Sequence, residues 1–131
     1  GSDFAYDEMM ETGPGEQGEA MAKAVASDKS MANDPTLPGE GPSREERENG
    51  FYDILFVGHT AGGEEIRASV KGDMDPGYGS TSKMISEAAI TLLASRGTAP
   101  GGILTPAAAL GTSLIGRLQE NAGLTFEVED S

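Results

Sequence analysis

The segment Gly77-Tyr78-Gly79-Ser80-Thr81-Ser82-Lys83 gathers more reactive and ligand-binding groups than any other short stretch of the chain. Its glycines permit close backbone approach, and a helix starting after them presents free N–H groups. Ser80, Thr81 and Lys83 offer two hydroxyls and an ammonium to an anion or a carbonyl, and Tyr78 can stack on a ring or donate a proton. A glycine loop followed by a helix cap is the plain structural alternative. The residue types leave both open and assign no catalytic step to any of the four.

Other candidates carry less. Gly13-Pro14-Gly15-Glu16-Gln17-Gly18 matches the spacing G-x-G-x-x-G, but a dinucleotide site needs a hydrophobic strand directly before it. Here Tyr6-Asp7-Glu8-Met9-Met10-Glu11-Thr12 precedes it, Glu16 would sit in the anion cradle, and Asp34 has no strand to carry it as a ribose acid. The match reads as coincidence. His59, the single histidine, falls in a hairpin turn, where a solvated role is expected, and no Ser-His-Asp set or histidine-rich metal site assembles around it. Glu45, Glu46, Glu48, Glu127, Glu129 and Asp130 read as solvated surface. Asp73 and Asp75 alone are too few for a hard cation, so no metal site is expected. The methionines read as packing or linker residues.

The elements that must position these groups lie mostly after Gly50. Residues 1–49 form an acidic, Gly/Pro-rich connector in which only 16–27 reads as helical, with Ala20, Met21, Ala24 and Val25 on one stripe. From Asn33 to Pro42 the breakers are too dense for a regular element, and this stretch is expected to run over the surface or stay mobile. Phe51–Val57 is apolar on both faces, as in a strand covered on both sides, and Ile66, Ala68 and Val70 alternate with polar residues in a second strand. A helix is expected from Ser80 or Thr81, with Met84, Ile85, Ala88, Ala89, Leu92 and Leu93 as its buried stripe and Gly97 as its stop. Thr105-Pro106 announces a second helix, with Leu110, Leu114, Ile115 and Leu118 on its apolar side and Gly111 bending it. Leu124, Phe126 and Val128 mark a closing strand. Residues 50–131 are thus expected to form an α+β unit, ββααβ, with two helices on one face of a small antiparallel or mixed sheet, preceded by a flexible segment.

Length and charge narrow the function classes. At 131 residues there is room for one modest domain but not for a complete dinucleotide-dependent dehydrogenase. The net charge of −13 argues against nucleic acid and against anionic membrane surfaces. No apolar run approaches a membrane span. The absence of cysteine is compatible with a cytoplasmic location, which is the expectation. Gly1-Ser2 resembles the remnant of a removed tag, so the chain is expected to begin partway through a longer protein.

Asp75-Pro76-Gly77-Tyr78-Gly79, the helical run to Ser95, and Gly101-Gly102-Ile103-Leu104-Thr105-Pro106 together resemble the C-terminal end of the saccharopine dehydrogenase-like oxidoreductases, in particular their trans-acting enoyl reductase branch. Pro38-Gly39-Glu40-Gly41-Pro42-Ser43 and Gly50-Phe51-Tyr52 extend the resemblance towards the N-terminus. It implies a parent enzyme that transfers hydride between NADP or NAD and an imine, carbonyl or polarised double bond. This chain, lacking the cofactor domain, would bind no cofactor itself and would be inactive alone. It would supply sheet, part of the substrate-cleft wall and a subunit contact, with Tyr78, Ser80, Thr81 and Lys83 near the substrate. Its partners would be the missing N-terminal dinucleotide-binding domain and a second copy in a homodimer. The competing expectation is a non-catalytic acidic module for interaction or dimerisation.

Overall fold

The computed structural model describes residues 4–29, 40–98 and 101–129. They belong to two compact units, Gly1–Glu40 and Gly41–Ser131. In the first, α1 (Gly15–Ser27) follows a turn in which Gly13 and Gly15 take positive φ. Its Ala, Met and Lys content favours helix, and an exposed Lys23–Glu19 pair at 2.6 Å supports it weakly. Only Gly18 is buried, so the stripe of Ala20, Met21, Ala24 and Val25 lies open. Most of the breaker-rich stretch, 33–39, lies outside the described residues.

The second unit opens with a helix that the reading of 1–49 as connector did not anticipate. This helix, α2 (Arg44–Asn49), forms without an apolar stripe because its start is chemically specified. The Ser43 hydroxyl accepts from the Glu46 N–H, and the Glu46 carboxylate accepts from the Ser43 N–H at 2.8 Å, a reciprocal capping box. Glu48 accepts from Arg44 at 2.7 Å. Two of the carboxylates read as surface therefore hold this helix together.

A hairpin follows. β1 (Tyr52–His59) pairs antiparallel with β2 (Glu65–Gly72) from Tyr52↔Gly72 to His59↔Glu65. β3 (Leu124–Glu129) pairs antiparallel with the other side of β2, giving the order β1-β2-β3. The cross-strand rows Ile54–Val70–Phe126 and Phe56–Ala68–Val128 share one face of this sheet. Between β2 and β3 run α3 (Gly79–Ala94) and α4 (Pro106–Asn121). Thr105 caps α4 by accepting from the Ala108 N–H, and Gly111 (φ 52°, ψ −136°) bends the helix. The unit is α+β, and its sheet is wholly antiparallel. The core is small: Leu114, Leu118, Ala122 and Leu124, flanked by Val70, Met84, Ala88, Leu110 and Phe126. Among the described residues no helix is long and apolar enough to cross a membrane.

Two sequence expectations are overturned by where these elements sit. The stripe assigned to α3 is split. Met84 and Ala88 face the core, but Ile85 and Leu93 are 68% and 69% exposed, and Ala89 and Leu92 are also open. The side of α3 turned inward also carries polar residues, with Glu87 at 9% and Thr91 at 3% exposure. Arg117 Nε on α4 donates to Glu87 Oε2 at 2.7 Å, and the Thr91 hydroxyl donates to the Glu87 carbonyl at 2.6 Å. A guanidinium that can satisfy a carboxylate at the helix–helix contact outweighs the hydrophobic pattern, because burying Glu87 without a partner would cost more than exposing a leucine. Among the described residues β1, in turn, is an edge strand. Ile54, Leu55, Phe56 and Val57 are all about half exposed rather than covered on both faces.

Urea denaturation checks this distribution. Leu118→Ala is expected to destabilise the chain by about 2–5 kcal/mol, since it opens a cavity in the core. Leu93→Ala should stay within about 0.5 kcal/mol of the parent chain, as for other substitutions at exposed positions. Equal losses would mean that α3 buries its apolar stripe after all.

Candidate functional site

The glycine-rich segment singled out in the sequence closes a turn between β2 and α3, and Asp75 organises that turn. Its Oδ1 accepts from the Gly77 N–H at 2.9 Å and the Tyr78 N–H at 3.1 Å, while Oδ2 accepts from the Gly79 N–H. Its carbonyl accepts from the Ser80 N–H at 2.9 Å. This is an Asx-type turn carried into a helix start, and the sequence Asp-Pro-Gly is its signature. α3 consequently begins at Gly79, not at Ser80 or Thr81. Its first two amides, those of Gly79 and Ser80, are taken by the Asp75 carboxylate and carbonyl and are not free for an exogenous anion. The N–H groups of Gly79, Tyr78 and Gly77 hold the Asp75 carboxyl below the usual carboxylate range, against some opposing desolvation, and the Arg47 guanidinium adds to the effect.

Neighbouring elements fix this turn from three sides. The Asp75 N–H donates to the Arg47 carbonyl at 3.1 Å, and Arg47 Nη1 donates to the Pro42 carbonyl at 2.6 Å, so α2 and the Gly41-Pro42 turn are tied to it. Gly50 lies so close to Asp75 that a Cβ there would overlap the Asp75 backbone. The Tyr78 ring lies over Gly41, where a Cβ would stand 3.0 Å from it. On the β1 side, the Tyr52 ring covers Gly72 across the hairpin and its hydroxyl meets the Ser80 hydroxyl at 2.8 Å.

The four residues expected near a substrate are therefore brought to one helix start but are not equivalent. Ser80 is fully buried, and its hydroxyl is engaged with Tyr52. The Thr81 hydroxyl donates to the Pro76 carbonyl at 2.6 Å, which locks the turn. Tyr78 remains more than half exposed. Lys83 Nζ sits 3.8 Å from Asp73 Oδ1, a loose pair that a ligand could displace. Tyr78 and Lys83 are the groups with chemistry left to offer: a phenol that can donate or stack, and a mobile positive charge. Asp75, Arg47 and Tyr52, which position them, were missed as a set, because two of them lie in segments read as connector and strand.

The remaining candidates resolve simply. Residues 4–13 contain no strand leading into Gly13–Gly18, and α1 carries Glu16 in its first turn, so this run does not fit a pyrophosphate. Asp34 lies outside the described residues. His59 is exposed beside Glu65, 3.6 Å away. Among the described residues no group of three or more His, Cys, Asp or Glu is placed to hold a metal ion.

The capping arrangement predicts an acid limb. A carboxyl whose pKa is lower folded than unfolded contributes stability that is complete above its ordinary value of 3.8 and is lost as the pH falls through the folded value. Asp75→Asn should remove that part of the slope, so that its stability falls less steeply than the parent chain's below that pH in denaturation at graded acidity. Parallel curves would show that Asp75 is not held by its amides.

No protein-family model matches the chain, and no solved structure matches it. It is 41% identical over 92 residues to a Mycobacterium tuberculosis protein named "Putative trans-acting enoyl reductase", covering 69% of this chain and 22% of that protein. Proteins named trans-acting enoyl reductase from Mycobacterium bovis and Mycobacterium ulcerans are 36% and 35% identical, over 62% and 63% of this chain. The chain spans about a fifth of the length of the curated relatives it matches. By sequence, then, it is similar to a part of proteins named as enoyl reductases.

Proposed function

We propose that this chain is the C-terminal α+β portion of a trans-acting enoyl reductase of the saccharopine dehydrogenase-like type. The observation that carries the reading is the identity of 41% to a protein so named, over only 22% of that protein's length. The packing supports it: a unit that buries polar Glu87 and Thr91 while exposing Ile85, Leu92 and Leu93 is built to meet more polypeptide. In this reading the parent enzyme reduces a polarised carbon–carbon double bond with hydride from a nicotinamide cofactor, NADPH or NADH, bound by a domain outside this chain. These residues supply sheet and one wall of the substrate cleft.

Tyr78 and Lys83 stand at that wall. Lys83 can release Asp73 and pair with negative charge on the substrate, including charge that develops on a carbonyl oxygen as hydride arrives at the conjugated double bond. Tyr78 can hydrogen-bond the same oxygen. Ser80 and Thr81 act one step back, holding the helix start that aims both.

Two measurements check the reading. In the full-length enzyme, Lys83→Ala and Tyr78→Phe are each expected to lower kcat/KM for enoyl reduction by about 10–1000-fold. Thr81→Ala should act chiefly through stability. Unchanged turnover in both of the first two variants would remove them from the cleft. Titration of NADPH and of NADH into the 131-residue chain is expected to give no binding heat. Tight binding would instead return Gly13–Gly18 to consideration.

A further inference from the structure

The two edges of the sheet are built differently. β3 carries Glu127 and Glu129, and acidic side chains of this kind discourage another strand from pairing. β1 has no such protection. All eight of its residues pair in unbroken register with β2, and it contains neither proline nor bulge. Its one acidic residue, Asp53, is engaged by Lys71 at 3.3 Å. Its apolar side chains emerge on both faces: Ile54 and Phe56 on the side of the core row, Leu55 and Val57 on the other, all half exposed. Apolar residues on both faces belong to a strand inside a covered sheet, yet this one lies at an edge.

We propose that β1 is a seam. Along its open edge, Tyr52–His59, a strand from the remainder of a longer reductase polypeptide pairs and continues the sheet, and segments of that polypeptide cover Ile54 and Phe56 on one face and Leu55 and Val57 on the other. This rests on the reading of the chain as part of a reductase. Two features select that occupant over a second copy. The matched relatives hold about four-fifths of their length outside the matched part, enough polypeptide for a sheet extension and two covering layers. Two copies would each bring the net charge of −6 carried by residues 41–131 to one contact, and that repulsion opposes the association. The open stripe of α3 points the same way, because the unit has a second uncovered apolar surface and a large partner can cover both.

The test compares amide hydrogen exchange in the isolated chain and in the full-length polypeptide, with sedimentation of the isolated chain alongside. The β1 amides not bonded to β2 should exchange at least about 100-fold more slowly in the full-length protein, while the outer amides of β3 do not change. Equal β1 rates in the two forms overturn the seam. A dimeric isolated chain with β1 already protected overturns the choice of occupant. The double variant Leu55→Glu/Val57→Glu should leave the isolated chain folded at an unchanged urea midpoint. It should weaken binding of the separately expressed remainder by at least about 100-fold, because a charge would have to be buried. Undiminished binding also overturns the seam. Enoyl reduction is scored separately. An active full-length enzyme with unprotected β1 sinks the seam alone, and protected β1 in a protein that reduces no enoyl substrate sinks the functional reading alone.

Discussion

The carboxylate of Asp75 is the constraint on which the second unit turns. A strand that must hand over to a helix within a few residues leaves several amides unsatisfied, and burying or crowding them without acceptors is costly. Asp75 satisfies those of Gly77, Tyr78 and Gly79 with one side chain and that of Ser80 with its carbonyl. Everything nearby follows from that closure. Gly50 and Gly79 leave room for the Asp75 backbone and side chain, Arg47 accepts its N–H through a carbonyl and places a positive charge close by, and Ser80 is delivered to the Tyr52 hydroxyl. The same closure changes the chemistry of the site. A helix start offering bare amides would select anions by its dipole. Here Asp75 takes the Gly79 and Ser80 amides internally, so in the proposed reading recognition would fall to the side chains of Tyr78 and Lys83.

How much of this was legible in the sequence depended on whether the signal was local. Thr105-Pro106, the alternation of Leu124, Phe126 and Val128, and the hairpin around Gly62-Gly63 are short-range signals, and each marks an element boundary that the structure contains. α2 escaped because periodicity has nothing to find in six residues without an apolar stripe, although Ser43 and Glu46 stand at capping-box spacing. The role of Asp75 is likewise written in Asp-Pro-Gly, a turn signal that competes with the serine and threonine cap candidates that follow it. Which face of α3 turns inward was legible only in part, through Met84 and Ala88. That choice depends on Arg117, some thirty residues away, reaching Glu87, and no helical-period argument contains a partner on another helix.

α3 and β1 fail the sequence reading in the same direction, and the shared cause is informative. In each, apolar residues were assigned to a core that the chain does not build. Burial patterns in a sequence record the environment in which a segment works, which need not be supplied by the segment itself. The core here, centred on Leu114, Leu118, Ala122 and Leu124, takes up only the end of the sheet nearest α4 and leaves Phe56, Ile66 and Val128 open. An excess of apolar patterning over available core fits the proposed reading of the chain as part of a larger enzyme.

Charge bears on the same point from the other side. A unit with two open apolar surfaces would ordinarily associate with itself, yet its own net charge of −6, within a chain of −13, sets repulsion against that tendency at distances within the screening length. The acidic residues are also unevenly placed along the sheet: Glu127 and Glu129 line the strand that closes it, while Asp53, on the strand left open, is neutralised by Lys71. Repulsion between copies combined with an edge whose one carboxylate is paired gives selectivity. If β1 is the proposed seam, such an edge disfavours a partner carrying the same acidity and admits one that is neutral or basic along the mating strand.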